Sequence, residues 1–73
     1  MKNKFILEII ESGEKLKFRT MQEIADNIGI DYHAARGLYI YNTKGKKHLH
    51  AITKGLSQKY KIYDDPEYLN FLH

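Results

Sequence analysis

The sequence has no cysteine, no tryptophan and one proline, and no run of aliphatic or phenylalanine side chains is longer than three residues. The absence of cysteine excludes disulfides and thiolate metal sites. A run of three is too short for a transmembrane helix or a signal-peptide core, so we expect an intracellular protein without a membrane partner. A chain of 73 residues makes one domain near the lower size limit for a stable core.

Acidic residues are missing from the middle of the chain. Residues 1–31 carry five cations and six acids, whereas residues 32–63 carry seven cations and no acid. The last ten residues add three acids, which gives the net charge of +3. A wholly basic middle segment favours a polyanionic partner for that part of the molecule.

Two adjacent capped helices are predicted within residues 20–43. Thr20 and Glu23, three residues apart, have the spacing of a capping box and predict a helix that begins at the next residue. Gly29 can adopt the left-handed conformation that ends this helix, and Asp31 can cap a second one. The stretch therefore predicts a helix-turn-helix, with an apolar inner side on the second helix.

The same stretch resembles the helix-turn-helix of phage, viral and bacterial regulators. In that family an alanine lets the two helices approach closely and a glycine four residues later makes the turn, positions held here by Ala25 and Gly29. The matching apolar positions are Ile24, Ile28, Ile30, Ala35 and Leu38. The resemblance covers about a third of the chain. It implies a DNA-binding domain whose second helix enters the major groove.

The N-terminal part of the chain is predicted to contain one helix and an extended connector. Phe5, Ile6, Ile9 and Ile10 recur at helical spacing, which predicts a helix over residues 3–12. Between residues 14 and 19, two apolar side chains alternate with cations. This alternation predicts an extended segment pressed against the core, although a true strand would need a partner.

The C-terminal part is predicted to contain a basic loop and two helices. Residues 43–48 should form an exposed loop, because TKGKK offers nothing to bury. Apolar residues then recur at steps of three and four, which predicts a helix over residues 49–60. A β-hairpin wing at residues 45–53 is the alternative. Aspartate before Pro66 predicts a short last helix over residues 66–72.

These elements together predict an all-α single domain of four or five helices built around the helix-turn-helix. Such a small domain would gain stability as a homodimer, with the last helix as a candidate interface. The expected core consists of Phe5, Ile9, Phe18, Ile24, Ala25, Ile28, Leu38, Ile52 and Leu56.

The outward side of the second motif helix holds the residues that, by the resemblance, would enter the major groove. Arg36 is the first candidate for a base contact, because a guanidinium can grip guanine with two hydrogen bonds. The other candidates on this helix are Tyr32, His33, Gly37 and Ile40, with Asn42 or Thr43 near its end. The candidates for phosphate contacts are Lys44, Lys46, Lys47, His48 and Lys54.

Three of these candidates have structural alternatives. Arg36 could be a solvated surface residue, and Tyr32 could fold onto the apolar seam of the motif. Gly37 either removes bulk where DNA would approach or allows close packing against the helix predicted over residues 3–12.

The leading hypothesis is a small double-stranded DNA-binding protein that acts as a transcriptional regulator. The alternatives are a protein-interaction adaptor with the same fold and a sequence-independent protein that compacts DNA. No activated nucleophile, suggestive carboxylate pair or glycine-rich phosphate loop is present, so no enzymatic activity, cofactor or small-molecule ligand is expected. His48 and His50 provide too few ligands for a metal site.

Overall fold

A computed structural model describes residues 3–45 and 51–72 of the chain, with the backbone alone for Phe71 and Leu72. The elements in chain order are β1 (Phe5–Ile9), β2 (Glu14–Phe18), α1 (Met21–Ile28), α2 (Tyr32–Lys44), α3 (Ala51–Ser57), β3 (Tyr60–Asp64) and α4 (Pro66–Leu72).

The prediction of an all-α fold is wrong, because the strands form a three-stranded antiparallel sheet in the order β2-β1-β3. The chain is therefore an α+β domain. β1 occupies the place of the helix predicted over residues 3–12. Its apolar residues fit helical spacing, but Ile6 and Leu7 are adjacent and both buried, so β1 buries one side chain on each face of the sheet.

The register of the sheet places three branched side chains opposite one another. Leu7 of β1 lies opposite Leu16 of β2 and Ile62 of β3. Because alternate residues of a strand point to opposite sides, these three side chains share the face that packs against the helices. Leu7 and Ile62 are completely buried there.

The predicted connector at residues 14–19 contains a true strand, β2, whose partner is β1. The predicted helix over residues 49–60 is shorter than expected, because α3 ends at Ser57 and the chain then enters β3. Ile52, expected in the core, is 69% exposed. Within the alternative wing, residues 51–53 are helical and residues 46–50 lie outside the described part of the chain.

The two helices predicted for the motif are confirmed as α1 and α2. Thr20 and Glu23 form the capping box, in which the Thr20 hydroxyl accepts from the Glu23 amide at 3.1 Å. Gly29 has a φ of 70° and ends α1, and Asp31 accepts from the His33 amide at 3.0 Å to start α2. The small side chain of Ala25 is completely buried and belongs to the hydrophobic core.

Most of the predicted core is also confirmed. Ile24, Ala25 and Leu38 are completely buried, and several other expected residues pack half-buried around them. These partly buried residues are Phe5, Phe18, Ile28 and Leu56. The predicted last helix is confirmed as α4, where the buried Asp65 accepts from the Glu67 amide at 2.9 Å.

Two polar contacts and one aromatic contact hold α2 against the sheet. The Tyr39 hydroxyl donates to an Asp64 carboxylate oxygen at 2.7 Å, and the Ile62 amide donates to the Asn42 side chain at 3.0 Å. The Tyr39 ring also meets Phe5 edge-on, with 5.3 Å between ring centroids. These contacts fix which side of α2 faces β3.

Replacing Tyr39 with phenylalanine should destabilise the fold while keeping the contact with Phe5. The variant loses the hydrogen bond to Asp64, so we expect the free energy of unfolding to fall by about 1 kcal/mol in urea titrations. Tyr41→Phe is the matched control, because Tyr41 also packs on the core but its hydroxyl makes no hydrogen bond with another described residue. Equal stability of the two variants would contradict the role given to the Tyr39 hydroxyl.

The same tyrosine should make stability fall at alkaline pH. Burial, together with the hydrogen bond to Asp64, raises the Tyr39 pKa from 10.0 to about 12. Tyr39 therefore loses its proton at a lower pH in the unfolded chain than in the folded one. The free energy of unfolding should decline as the pH rises from 10 toward 12. Tyr39→Phe should flatten this decline. Part of it will remain, because the pKa values of Tyr63 and Lys17 are also raised.

Candidate nucleic-acid interface

The outward side of α2 brings together four of the residues predicted to contact DNA. His33, Arg36, Ile40 and Lys44 follow one another at steps of three and four residues, which places them along one side of the helix. His33, Arg36 and Lys44 are exposed, and Ile40 is half-buried. The opposite side carries the buried Leu38 and the contacts with the sheet. We call these four residues the α2 stripe.

Asn42 does not belong to the α2 stripe. The sequence suggested it, or Thr43, for the outward end of the helix, but its side chain accepts the hydrogen bond from the Ile62 amide of β3. Thr43 is exposed, and its hydroxyl donates to the Tyr39 carbonyl at 2.8 Å. Neither residue is therefore a leading candidate for a base contact.

The cations near the α2 stripe are unpaired within the described part of the chain. The ion pairs found there use Lys17 and Arg19, both of which precede the acid-free segment. Arg36, Lys44 and Lys54 are exposed, and their charged groups make no ion pair with another described residue. An unpaired exposed cation loses no protein partner when it binds a phosphate.

Tyr32 lies at the start of α2 with its ring against His33 and not against the core. The two ring centroids are 5.6 Å apart at an interplanar angle of 78°, and Tyr32 is 37% exposed. Both aromatic side chains are thus accessible beside the first turn of α2, the part of a recognition helix that contacts base edges.

Gly37 lies where α2 packs closely against α3. A Cβ atom built on Gly37 would lie 3.2 Å from the hydroxyl oxygen of Thr53, a buried residue of α3. Gly37 therefore does allow close packing, but its partner is α3 and not the segment predicted as a helix over residues 3–12. Lys54 follows Thr53 directly, so this contact also holds a candidate phosphate-binding residue close to α2.

The basic middle segment does not form one continuous surface. Leu7 and Ile62 face the helices, so strand alternation places Lys61 toward the other face of the sheet. Lys61 lies there opposite Glu8. The proposed phosphate contacts Lys46, Lys47 and His48 lie outside the described residues.

The described residues contain no group of three side chains suited to hold a metal ion. Within the same ranges, no helix is long and apolar enough to cross a bilayer. In comparisons with known proteins, no family model, curated protein or solved structure matched the chain. Its function is therefore inferred from the site itself.

Substituting alanine for Gly37 and for Gly55 should separate helix propensity from packing. Alanine is favoured over glycine inside a helix by about 1 kcal/mol. A Cβ at Gly55 meets no atom within 4 Å, so Gly55→Ala should gain most of that amount. Gly37→Ala should gain clearly less or lose stability, because Thr53 must move.

The control for this comparison is the double variant Gly37→Ala/Thr53→Ala. In urea unfolding, the double variant should be more stable than Thr53→Ala alone. The difference in the free energy of unfolding should be about the same as that between Gly55→Ala and the wild type. If Gly37→Ala stabilises the wild-type background as much as Gly55→Ala does, the α2–α3 contact described here is wrong.

Proposed function

We propose that the protein binds double-stranded DNA by placing the outward side of α2 in the major groove, and that it acts as a transcriptional regulator. The observation that carries the proposal is the α2 stripe, in which His33, Arg36 and Lys44 are exposed along one side of a capped helix. Thirteen residues give α2 a length of about 20 Å, and the major groove is wide enough to accept such a helix.

The stripe offers different chemistry along its length. Arg36 lies near the middle of α2, where its five donors can reach the acceptor atoms of a guanine. Lys44 lies at the end of the helix, where a mobile ammonium group suits a phosphate. We therefore assign base recognition to Arg36 and the first turn, and backbone contact to Lys44 and Lys54.

Both motif helices have a side-chain cap at their N-terminus. A Glu23 carboxylate oxygen accepts from the Arg19 and Thr20 amides at 3.0 and 3.1 Å, and Asp31 accepts from the His33 amide. These carboxylates occupy the positions where a phosphate could otherwise bind a helix N-terminus. Phosphate binding would therefore depend on lysine and arginine side chains, which should make it strongly sensitive to salt.

Arg36→Ala should weaken binding of the preferred duplex by roughly tenfold or more, since a two-bond contact with guanine contributes about 1–3 kcal/mol. Lys44→Ala should weaken binding of all duplexes alike and lower the slope of log K against log salt by about 1. Lys15→Ala is the control, because Lys15 is exposed on β2, on the opposite face of the sheet. Fluorescence anisotropy in a series of salt concentrations provides both quantities.

Selection of bound duplexes from a random pool tests the proposal as a whole. We expect enrichment of one motif, and a two-fold repeat of it with half-sites about ten base pairs apart if the protein acts as a homodimer. A single motif without a repeat would contradict binding as a homodimer to a two-fold site, but it would still support a sequence-specific regulator. Binding without any enriched motif would favour a sequence-independent protein that compacts DNA. If the protein retained no duplex, the protein-interaction adaptor would be the remaining hypothesis.

A further inference from the structure

A small cleft lies beside the α2 stripe, between the first turn of α2 and the start of α3. Its volume is about 250 Å³, and the described residues that line it are Asp31, His33, Ala34, Gly37, Ile52 and Thr53. His33 belongs both to the cleft and to the stripe, so the two are continuous. A duplex contacted by the stripe would therefore also meet the mouth of the cleft.

Ile52 is the most exposed of the large apolar residues in the described part of the chain. It is 69% exposed, whereas Leu69, Ile10 and Tyr32 are 41%, 38% and 37% exposed. Its neighbour Thr53 is buried against Gly37, so the position of α3 is fixed while Ile52 points away from the core. Binding of an apolar group here would remove from water a surface that folding leaves exposed.

The charge of the cleft favours a base over a phosphate as its ligand. Among the described residues that line it there is no lysine or arginine, and the one carboxylate is that of Asp31. A carboxylate repels a phosphate, but it accepts a hydrogen bond from the amino group of cytosine in the major groove. The apolar atoms of Ala34 and Ile52 match the other distinctive pyrimidine group in that groove, the methyl group of thymine.

We infer that Ile52 contacts the methyl group of a thymine and thereby helps to determine which DNA sequence the protein prefers. This inference rests on the proposed function, and it adds to the site a residue from outside the helix-turn-helix. The Gly37–Thr53 contact would position Ile52 for this role. Asp31 would favour a cytosine amino group at a neighbouring position.

Deoxyuridine provides a direct test, because it differs from thymidine only by the missing methyl group. In the duplex obtained by selection, each thymine is replaced in turn by uracil, and the affinity is measured by fluorescence anisotropy. For the wild-type protein, we expect one replacement to weaken binding roughly fourfold, the fold-change for about one buried methyl group. For Ile52→Ala, the same pair of duplexes should bind equally.

Leu69→Ala is the matched control, since Leu69 is also an exposed apolar residue but lies on α4. It should keep the wild-type ratio between the thymine and uracil duplexes. Circular dichroism should show that both variants stay folded, because both side chains are exposed. If the wild type binds no duplex, the proposed function itself fails.

Three other results would contradict the role of Ile52 but not the proposed function. The first is that the wild type binds its duplex but no uracil replacement changes its affinity. The second is that Ile52→Ala keeps the wild-type ratio, and the third is that the selected site contains no thymine. In each of these cases the assignment of the α2 stripe to DNA would stand without Ile52.

Discussion

The attachment of α2 to β3 is the constraint on which the rest of the structure depends. β3 is an edge strand of the described sheet, and an edge strand exposes backbone groups that need partners. Asn42 accepts from the Ile62 amide, and Tyr39 donates to Asp64 at the end of the same strand. These contacts cover part of the edge and set the rotation of α2. Arg36 is turned outward as a consequence.

Structural features that depend on a few neighbouring residues could be predicted from the sequence. The capping box of Thr20 and Glu23, the glycine turn at Gly29 and the cap at Asp31 each depend on neighbours within four positions. For the same reason α1 and α2, and the α2 stripe with them, were predicted with nearly correct boundaries. The start of α4 at Pro66 is a local signal of the same kind.

The sheet could not be predicted in this way, because its strands pair residues far apart in the chain. Leu7 lies between Leu16 and Ile62, and nothing in a single sequence shows that residues 7 and 62 meet. Without β3, the apolar spacing of β1 fits a helix equally well. The packing partner of Gly37 and the exposure of Ile52 could not be predicted for the same reason, since both follow from where α3 packs.

The central claim is that the outward side of α2, and not the face of the sheet that carries Lys15 and Lys61, meets DNA. Amide chemical shifts of the ¹⁵N-labelled protein during titration with the selected duplex test it most directly. We predict that the largest changes occur at His33, Arg36 and Ile40, with small changes at Lys15 and Lys61. Changes confined to the sheet residues, or no saturable change at all, would contradict the account.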